Sequence, residues 1–212
     1  DGLELIAERG RLMQSLPEDG LMVTVFADEA SVARLIEPHS ADVSIAAINS
    51  PETMVISGQR EAVLALTDTI TAQGIRTKVL NISRAAHSPM DEPMVAPMAR
   101  ACAGKQFSIP EVEFFSAVSG EAVSTEIARA DYWPRHLRQT VRFASAVQSM
   151  YDAGYRVFIE IGPHPTLINL GQRTLPEGAQ LLWLPSLHSK AADRDQIVES
   201  AARLYVSGAS LD

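Results

Sequence analysis

The segment NISRAAHSPMDEP (81–93) holds one histidine, His87, between small residues and a proline, just after an apolar stretch typical of a strand. An imidazole has an unperturbed pKa near neutrality, so it suits a general base that activates a weak nucleophile such as a serine hydroxyl. Ala85 and Ala86 beside it would leave room for a substrate. The alternative is a partly buried histidine in a tight turn. No G-x-S-x-G nucleophile motif occurs among the 212 residues.

Other residues that could do chemistry are less specific. Asp91 and Glu92 are adjacent, and neighbours on a helix diverge by about 100°, so we do not expect a carboxylate dyad. The 5 histidines contain no H-x-x-H or H-x-x-x-H pair, and we therefore expect no metal site. The basic stretch RHLRQTVR (135–142) is either a solvated helix face or a contact for phosphates or an acidic partner.

Composition excludes several classes of function. A formal charge of −8 and a pI near 5.1 argue against nucleic acid as a main partner. Cys102, the one cysteine, excludes an internal disulfide and fits a reducing compartment. No apolar run approaches the roughly 18 residues of a membrane span, and residues 2–15 are typical of an amphipathic helix. We expect a cytoplasmic protein that binds no membrane, and the abrupt start at Asp1 predicts a piece of a longer chain.

These residues need a scaffold, and hydrophobic periodicity predicts one of alternating strands and helices between residues 21 and 82. The predicted order is strand (21–27), helix (28–37), strand (42–49), strand (53–58), helix (59–74) and strand (75–82). This βαββαβ order is the ferredoxin-like arrangement. Asp28 is placed to cap the first helix, and Gly74 to end the second.

The second half combines helices with strands that we expect to form a parallel sheet. Helices are predicted over 88–104, 128–139, 141–154, 163–175 and 195–208, and strands over 112–120, 155–162 and 180–187. The run YRVFIEIG (155–162) is almost continuously apolar, which predicts a strand buried on both faces. The predicted fold class is α/β, with a ferredoxin-like lobe inserted into a larger unit.

Four ordered segments carry a resemblance to a known family. They are VSIAAINSPETMVISG (43–58), AAHSPMDEPM (85–94), YWPRHLRQTVRF (132–143) and FIEIGPHPTL (158–167). Over essentially its whole length the chain resembles the acyltransferase domains of modular type I polyketide synthases, which are similar to malonyl-CoA:acyl-carrier-protein transacylases. The tail, with LWLPSLH (182–188) and AARLYVSG (201–208), resembles the linker that leaves such a domain.

The resemblance implies a partial α/β-hydrolase-like large subdomain with a ferredoxin-like small subdomain inserted in it. Residues 1–19 are then a helix of the large subdomain, and 20–83 form the ferredoxin-like subdomain. Residues 84–184 form the rest of the large subdomain, and 185–212 are the post-acyltransferase linker. Neighbouring ketosynthase and linker domains are implied partners.

The chemistry that the resemblance implies is ping-pong acyl transfer. A serine in a G-H-S-x-G motif takes an acyl unit from malonyl-CoA or a substituted malonyl-CoA and passes it to the phosphopantetheine thiol of an acyl carrier protein, with no bound cofactor. The serine motif and the oxyanion-hole segment of the family match nothing in this chain. The resemblance therefore implies that both lie upstream of Asp1 and that this chain is the C-terminal two-thirds of the domain.

Three site residues follow from the resemblance. The family's histidine base falls on His87, and the arginine that binds the free carboxylate of the acyl unit falls on Arg9. Without the resemblance, Arg9 or Arg11 is simply a solvated helix residue. The residue whose backbone carbonyl orients the base falls on His136, where the family more often has asparagine.

The three residues before the base, Arg84, Ala85 and Ala86, mark the acyl pocket. At the four positions that end with the histidine, relatives that select malonyl tend to have HAFH, and those that select methylmalonyl tend to have YASH. RAAH matches neither pattern. Ala86 in place of a bulky Phe favours a substituted malonyl, whereas Arg84 is foreign to both patterns.

Two other functions stay open on the sequence alone. A non-catalytic scaffold or docking fragment of a polyketide synthase module would retain these motifs without turnover. A serine hydrolase is disfavoured, because Arg9 and the linker-like tail would have no role in it.

Overall fold

The computed structural model describes residues 1–82 and 84–210, which fall into two compact units divided between Ala146 and Val147. Ser83, the predicted end of the ferredoxin-like lobe, and residues 211–212, the end of the predicted linker, lie outside the described residues. No helix in the described part of the chain is long and apolar enough to cross a membrane.

Helices and strands alternate along the chain, which makes the fold mixed α/β. The α-helices are α1 Gly2–Gln14, α2 Glu29–Ile36, α3 Arg60–Ala72, α4 Glu92–Cys102, α5 Tyr132–Arg138, α6 Phe143–Asp152, α7 Thr166–Gly171 and α8 Asp193–Val206. The strands are β1 Gly20–Val25, β2 Val43–Ser50, β3 Thr53–Gln59, β4 Thr77–Val79, β5 Phe114–Phe115, β6 Ala122–Val123, β7 Val157–Glu160 and β8 Leu182–Pro185. Short 3-10 helices span Glu37–His39 and Pro89–Asp91.

The first four strands form one antiparallel sheet in the order β2-β3-β1-β4. Helices α2 and α3 pack on one face of this sheet through a fully buried apolar cluster. Its members include Val23, Val25, Val32, Ile56, Val63, Leu66 and Ile70. The element order β1, α2, β2, β3, α3, β4 is the βαββαβ order that the periodicity predicts.

Both predicted helix ends in this unit are confirmed. The Asp28 carboxylate accepts a hydrogen bond from the backbone N–H of Ser31 at 2.9 Å and so satisfies a free donor at the start of α2. Gly74 follows α3 with a φ of +77°, a conformation that glycine adopts without a steric penalty. Strand β4 is shorter than predicted, at Thr77–Val79.

The other face of the sheet is covered by the segment that leads to His87. Successive residues of a strand face opposite sides, so Met22 and Val55 lie on the face away from α2 and α3. Ala86 packs against the cluster that they form. Strands β1 and β3 are therefore buried on both faces.

The outer edge of β2 is occupied by the residues that follow α5. The Val141 N–H donates to the Ala46 carbonyl at 2.8 Å, and the Ile48 N–H donates to the Val141 carbonyl at 2.8 Å. Thr140 Oγ1 adds a bond to the Ile45 carbonyl at 2.7 Å. These bonds hold the end of α5 against the sheet.

Helices α1, α4 and α5 share a second buried cluster. It contains Leu5, Leu12, Leu16, Met94, Met98, Cys102 and Leu137. Arg9 lies four residues after Leu5 and three before Leu12, so it shares the buried face of α1. Cys102 is a fully buried packing residue of this cluster.

The second unit contains the parallel strand pair β7 and β8. The parallel pairing is confirmed, whereas the described residues of this chain fully bury neither face of β7. Val157 is 39% exposed and Ile159 is 50% exposed. Apolar composition indicates how much surface a strand is able to bury, whereas its neighbours decide how much it does bury. In the described part of the chain, β8 is the one strand paired with β7.

Candidate functional site

His87 lies in an unusual turn. Its φ is 58°, and among residues 1–82 and 84–210 it is the one non-glycine residue with a positive φ. The left-handed conformation costs an ordinary residue about 1–2 kcal/mol. The surrounding contacts must therefore hold the turn in place.

Two buried polar side chains supply those contacts. Ser88, fully buried, donates through Oγ to the Ala85 carbonyl at 2.7 Å and accepts the Met90 N–H at 3.1 Å. Asp91 is 3% exposed, and its carboxylate accepts the backbone N–H of His87. The backbone on either side of the imidazole is thus fixed from within the protein.

The imidazole itself is oriented by a backbone carbonyl. His87 Nδ1 lies 2.9 Å from the carbonyl oxygen of Gln139. A carbonyl oxygen only accepts hydrogen bonds, so Nδ1 carries the proton and donates it. The neutral ring then has its lone pair on Nε2, the nitrogen left free to take a proton from another group.

The assignment of this carbonyl to His136 was wrong. Helix α5 ends at Arg138, and Gln139 follows it with an extended backbone (φ −78°, ψ 153°). An extended residue turns its carbonyl away from the helix axis, whereas a residue inside the helix directs its carbonyl along the axis. The residue that follows the helix, Gln139, therefore reaches His87.

The side chain of His136, rather than its carbonyl, belongs to the site. Its ring is edge-on to that of His87, with the ring centroids 6.1 Å apart, and its centroid is 6.0 Å from that of Tyr132. Burial lowers the pKa of His136, and the charge of Arg9 lowers it further.

His87 is neutral at physiological pH. Burial lowers its pKa from 6.5 to about 4, and the nearby His136 and Arg9 act in the same direction. The hydrogen bond to Gln139 opposes this shift in part. A base must be unprotonated before it takes a proton, and the site keeps His87 in that form.

Arg9 is the cation available in this cluster. It is half-buried on α1, and its charge lowers the pKa of both His87 and His136. Within the described part of the chain, no carboxylate lies within ion-pair distance of Arg9, whereas Glu8 pairs with Arg11 at 2.6 Å. A guanidinium without an internal partner is able to bind a ligand carboxylate through two parallel hydrogen bonds.

The three residues before His87 bind to or pack against other parts of this chain. The Arg84 guanidinium donates to the Leu16 carbonyl and pairs with Glu18 at 3.1 Å. Ala85 is 4% exposed and is packed against Gly20 of β1. Ala86 packs on the second face of the sheet. The contacts of Arg84 and Ala85 thus anchor the turn.

The basic stretch 135–142 is neutralised by the protein's own carboxylates. Arg135 pairs with Glu126 at 2.6 Å, Arg138 lies 3.7 Å from Glu92, and Arg142 lies 3.5 Å from Glu29. This pairing favours the solvated-face interpretation of the stretch over a phosphate contact.

Sequence reasoning missed the structural roles of Gln139, Ser88 and Asp91. The pattern Ser-Pro-Met-Asp (88–91) is similar to a capping box, because the Asp91 carboxylate accepts the backbone N–H of Ser88 while Ser88 Oγ accepts the N–H of Met90. It could have identified the turn that holds His87. For the described residues, no group of three or more histidine, cysteine, aspartate or glutamate side chains is arranged to hold a metal ion.

Comparison with known proteins assigns a family. The acyl transferase domain family matches residues 1–210. Polyketide synthase GfsB from Streptomyces halstedii is 37% identical over 219 residues, which cover 100% of this chain and 4% of that synthase. Mycoketide-CoA synthase from Mycobacterium tuberculosis is 38% identical over 208 residues, which cover 98% of this chain and 5% of that synthase.

A solved structure agrees with these relatives. The acyltransferase domain from the second module of the salinomycin polyketide synthase matches with a TM-score of 0.94 and 33% identity. The match covers 99% of this chain and 49% of that domain structure, so the chain spans about half of it. The family predicted from the four sequence segments is confirmed. The chain belongs to the acyl transferase domain family, and its relatives are polyketide synthases.

Proposed function

We propose that this chain supplies the base and the carboxylate-binding arginine of an acyltransferase that loads a malonyl-type unit onto an acyl carrier protein in polyketide biosynthesis. One observation carries the proposal. His87 donates through Nδ1 to the Gln139 carbonyl at 2.9 Å, which leaves the Nε2 lone pair free beside Arg9, a cation without an ion pair among the described residues.

The proposed reaction has two acyl transfers on one serine, which lies outside this chain in the parent polypeptide. His87 Nε2 takes the serine proton as the hydroxyl oxygen attacks the thioester carbonyl. The C–S bond then breaks, and the coenzyme A thiol leaves with the proton that His87 returns. In the second transfer His87 takes the proton of the phosphopantetheine thiol, the sulfur attacks the acyl-serine, and the serine oxygen regains a proton.

Arg9 accounts for the class of acyl unit. The free carboxylate of malonyl offers two oxygens to the guanidinium fork, whereas acetyl has no such group. Ala86, smaller than the phenylalanine of malonyl-selecting relatives, leaves space for a substituent on the malonyl carbon. We therefore propose a substituted malonyl-CoA as the preferred donor. Ala85 and Arg84 hold the segment that forms the wall of the pocket in place.

The proposed domain organisation follows the same resemblance. Residues 20–83 form a ferredoxin-like subdomain, inserted between residues 1–19 and residues 84–184 of an α/β-hydrolase-like large subdomain. Residues 185–212 lead out of the domain as a linker. We propose a cytoplasmic synthase in which the carrier protein and neighbouring ketosynthase and linker domains are the partners.

Transfer to a carrier protein tests the function. An intact domain, in which this chain is joined to the serine-bearing segment of its parent polypeptide, is incubated with a carrier protein and with malonyl-, methylmalonyl- or acetyl-CoA. Mass spectrometry should find the carrier loaded from both malonyl-type donors, faster from methylmalonyl-CoA, and not from acetyl-CoA. Carrier left unloaded by every donor would instead indicate a non-catalytic scaffold. Malonyl-only or equal loading would contradict the substituted-malonyl proposal.

A further inference from the structure

A buried carboxylate holds the turn at His87, and the proposed reaction does not use it. Asp91 is 3% exposed and accepts backbone hydrogen bonds from His87 and Ser88. Burial raises the pKa of its carboxyl, while those two bonds and the charges of Arg138 and Arg9 oppose the rise. Such a group is costly to bury unless its oxygens are satisfied.

The hydrogen bonds that Asp91 accepts come from the backbone of the turn at His87. His87, with a φ of 58°, lies in a turn outside the helices and strands, so its N–H needs an acceptor other than a helix or strand carbonyl. The carboxylate provides that acceptor four residues later. Ser88 completes the turn through its bonds to Ala85 and Met90.

We propose that Asp91, with Ser88, is a positioning residue for the His87 base. Asp91 fixes the backbone of the histidine, and the Gln139 carbonyl fixes its ring at Nδ1. Two fixed points determine the direction of Nε2, the nitrogen that takes the serine proton. This inference rests on the proposed function, because it assigns the purpose of the turn to proton transfer.

The adjacent acid provides a matched control. Glu92 carries the same charge, but its side chain is 70% exposed and lies 3.7 Å from Arg138. Asp91 and Glu92 therefore differ in burial and in contact with the His87 turn. A general effect of charge near the site would act through both residues, whereas positioning acts through Asp91.

The test uses the intact domain with three variants. Asp91→Asn keeps the size of the side chain and one acceptor oxygen, but it loses the charge that strengthens both bonds. We expect kcat for acylation to fall roughly 10- to 100-fold, since small displacements of a reacting group have effects of this size. KM for the acyl-CoA should stay within about twofold, because Arg9 is untouched. Glu92→Gln should leave both constants as in the unaltered domain.

A second readout follows the ring directly. In spectra of nitrogen-labelled histidine, His87 should show the Nδ1–H form in the unaltered domain and in Glu92→Gln. Asp91→Asn should shift its ring signals or divide them between two forms. Ser88→Ala should lower kcat by a smaller factor and move the same signals.

The outcomes distinguish the positioning role of Asp91 from the proposed acyltransferase function. Unaltered kcat and ring signals in Asp91→Asn would overturn the positioning role, even if loss of the His87 imidazole abolishes acylation. If Asp91→Asn does not fold, Ser88→Ala decides, and unchanged kcat and ring signals there overturn the role. If the unaltered domain acylates from no donor, the proposed function fails, and the ring signals alone decide whether Asp91 orients His87.

Discussion

His87 Nδ1 lies 2.9 Å from the backbone carbonyl oxygen of Gln139, which follows directly on helix α5. The next residues are hydrogen-bonded to the edge of β2, so the direction of the base is set by the sheet. A neutral carbonyl stabilises an imidazolium less than a carboxylate partner does. Burial therefore outweighs the bond to Gln139 and lowers the pKa of His87 to about 4.

Replacement of Arg9 by lysine should weaken recognition of the acyl unit's carboxylate. Lysine keeps the charge but loses the two parallel hydrogen bonds, each worth about 1.5–3 kcal/mol when charged. We expect KM for malonyl-CoA to rise roughly 10-fold or more, as measured by initial rates in the intact domain. Arg11→Lys is the matched control, since Arg11 pairs with Glu8. Equal effects of the two substitutions would contradict the assignment of Arg9.

A methyl group added at Gly20 of β1 should disturb the turn at His87, because Ala85 packs against Gly20. The new Cβ would lie 2.6 Å from the backbone nitrogen of Ala85, a contact that only a backbone shift relieves. We expect Gly20→Ala to lower the free energy of unfolding by about 1–3 kcal/mol and to slow acylation. Gly10→Ala meets no atom within 4 Å in α1 and should raise stability by about 1 kcal/mol. Chemical denaturation measures both, and a neutral Gly20→Ala would contradict the packing.

Some of these features could be predicted from sequence, and others could not. The Asp28 cap and the glycine after α3 depend on residues near each other in the chain, and both are confirmed. The left-handed backbone at His87 depends on Asp91, Gln139 and the sheet, and only a folded chain brings these together. The resemblance predicts the orienting carbonyl three residues too early, at His136 instead of Gln139, because a sequence motif does not show where a helix ends.

Protonation of His87 should make stability depend on pH. Its pKa falls from 6.5 to about 4 on folding, so the unfolded chain binds more protons between these values. The stability that depends on a neutral His87 is therefore fully present above about pH 6.5 and is lost as the pH falls towards 4. The lowered pKa of His136 acts in the same direction, and the raised pKa of Asp91 acts in the opposite one.

The measurement is urea unfolding of the intact domain at pH 7 and pH 5, with and without His87→Gln. The unaltered protein should lose more stability at pH 5 than the variant does, because the variant lacks the group that must stay neutral. An equal loss of stability in the two proteins would show that folding does not lower the pKa of His87.

The core of the first sheet should be the least tolerant part of the first unit. Ile56 of β3 is fully buried in the apolar cluster that the sheet forms with α2 and α3. Ile56→Ala should lower the free energy of unfolding by about 2–5 kcal/mol, and Ile56→Val by about 0.5–1.5 kcal/mol. Leu64→Ala, at a site 44% exposed on α3, should cost about 0.5 kcal/mol or less. A small effect at Ile56 would contradict the packing of the sheet.

The acyl-enzyme tests the central claim most directly. The intact domain is mixed with malonyl-CoA or methylmalonyl-CoA, quenched within seconds and weighed, alongside His87→Ala and the control His39→Ala. We predict one added acyl group in the unaltered domain and in His39→Ala, and none in His87→Ala. Near-normal acylation of His87→Ala would show that His87 is not the base.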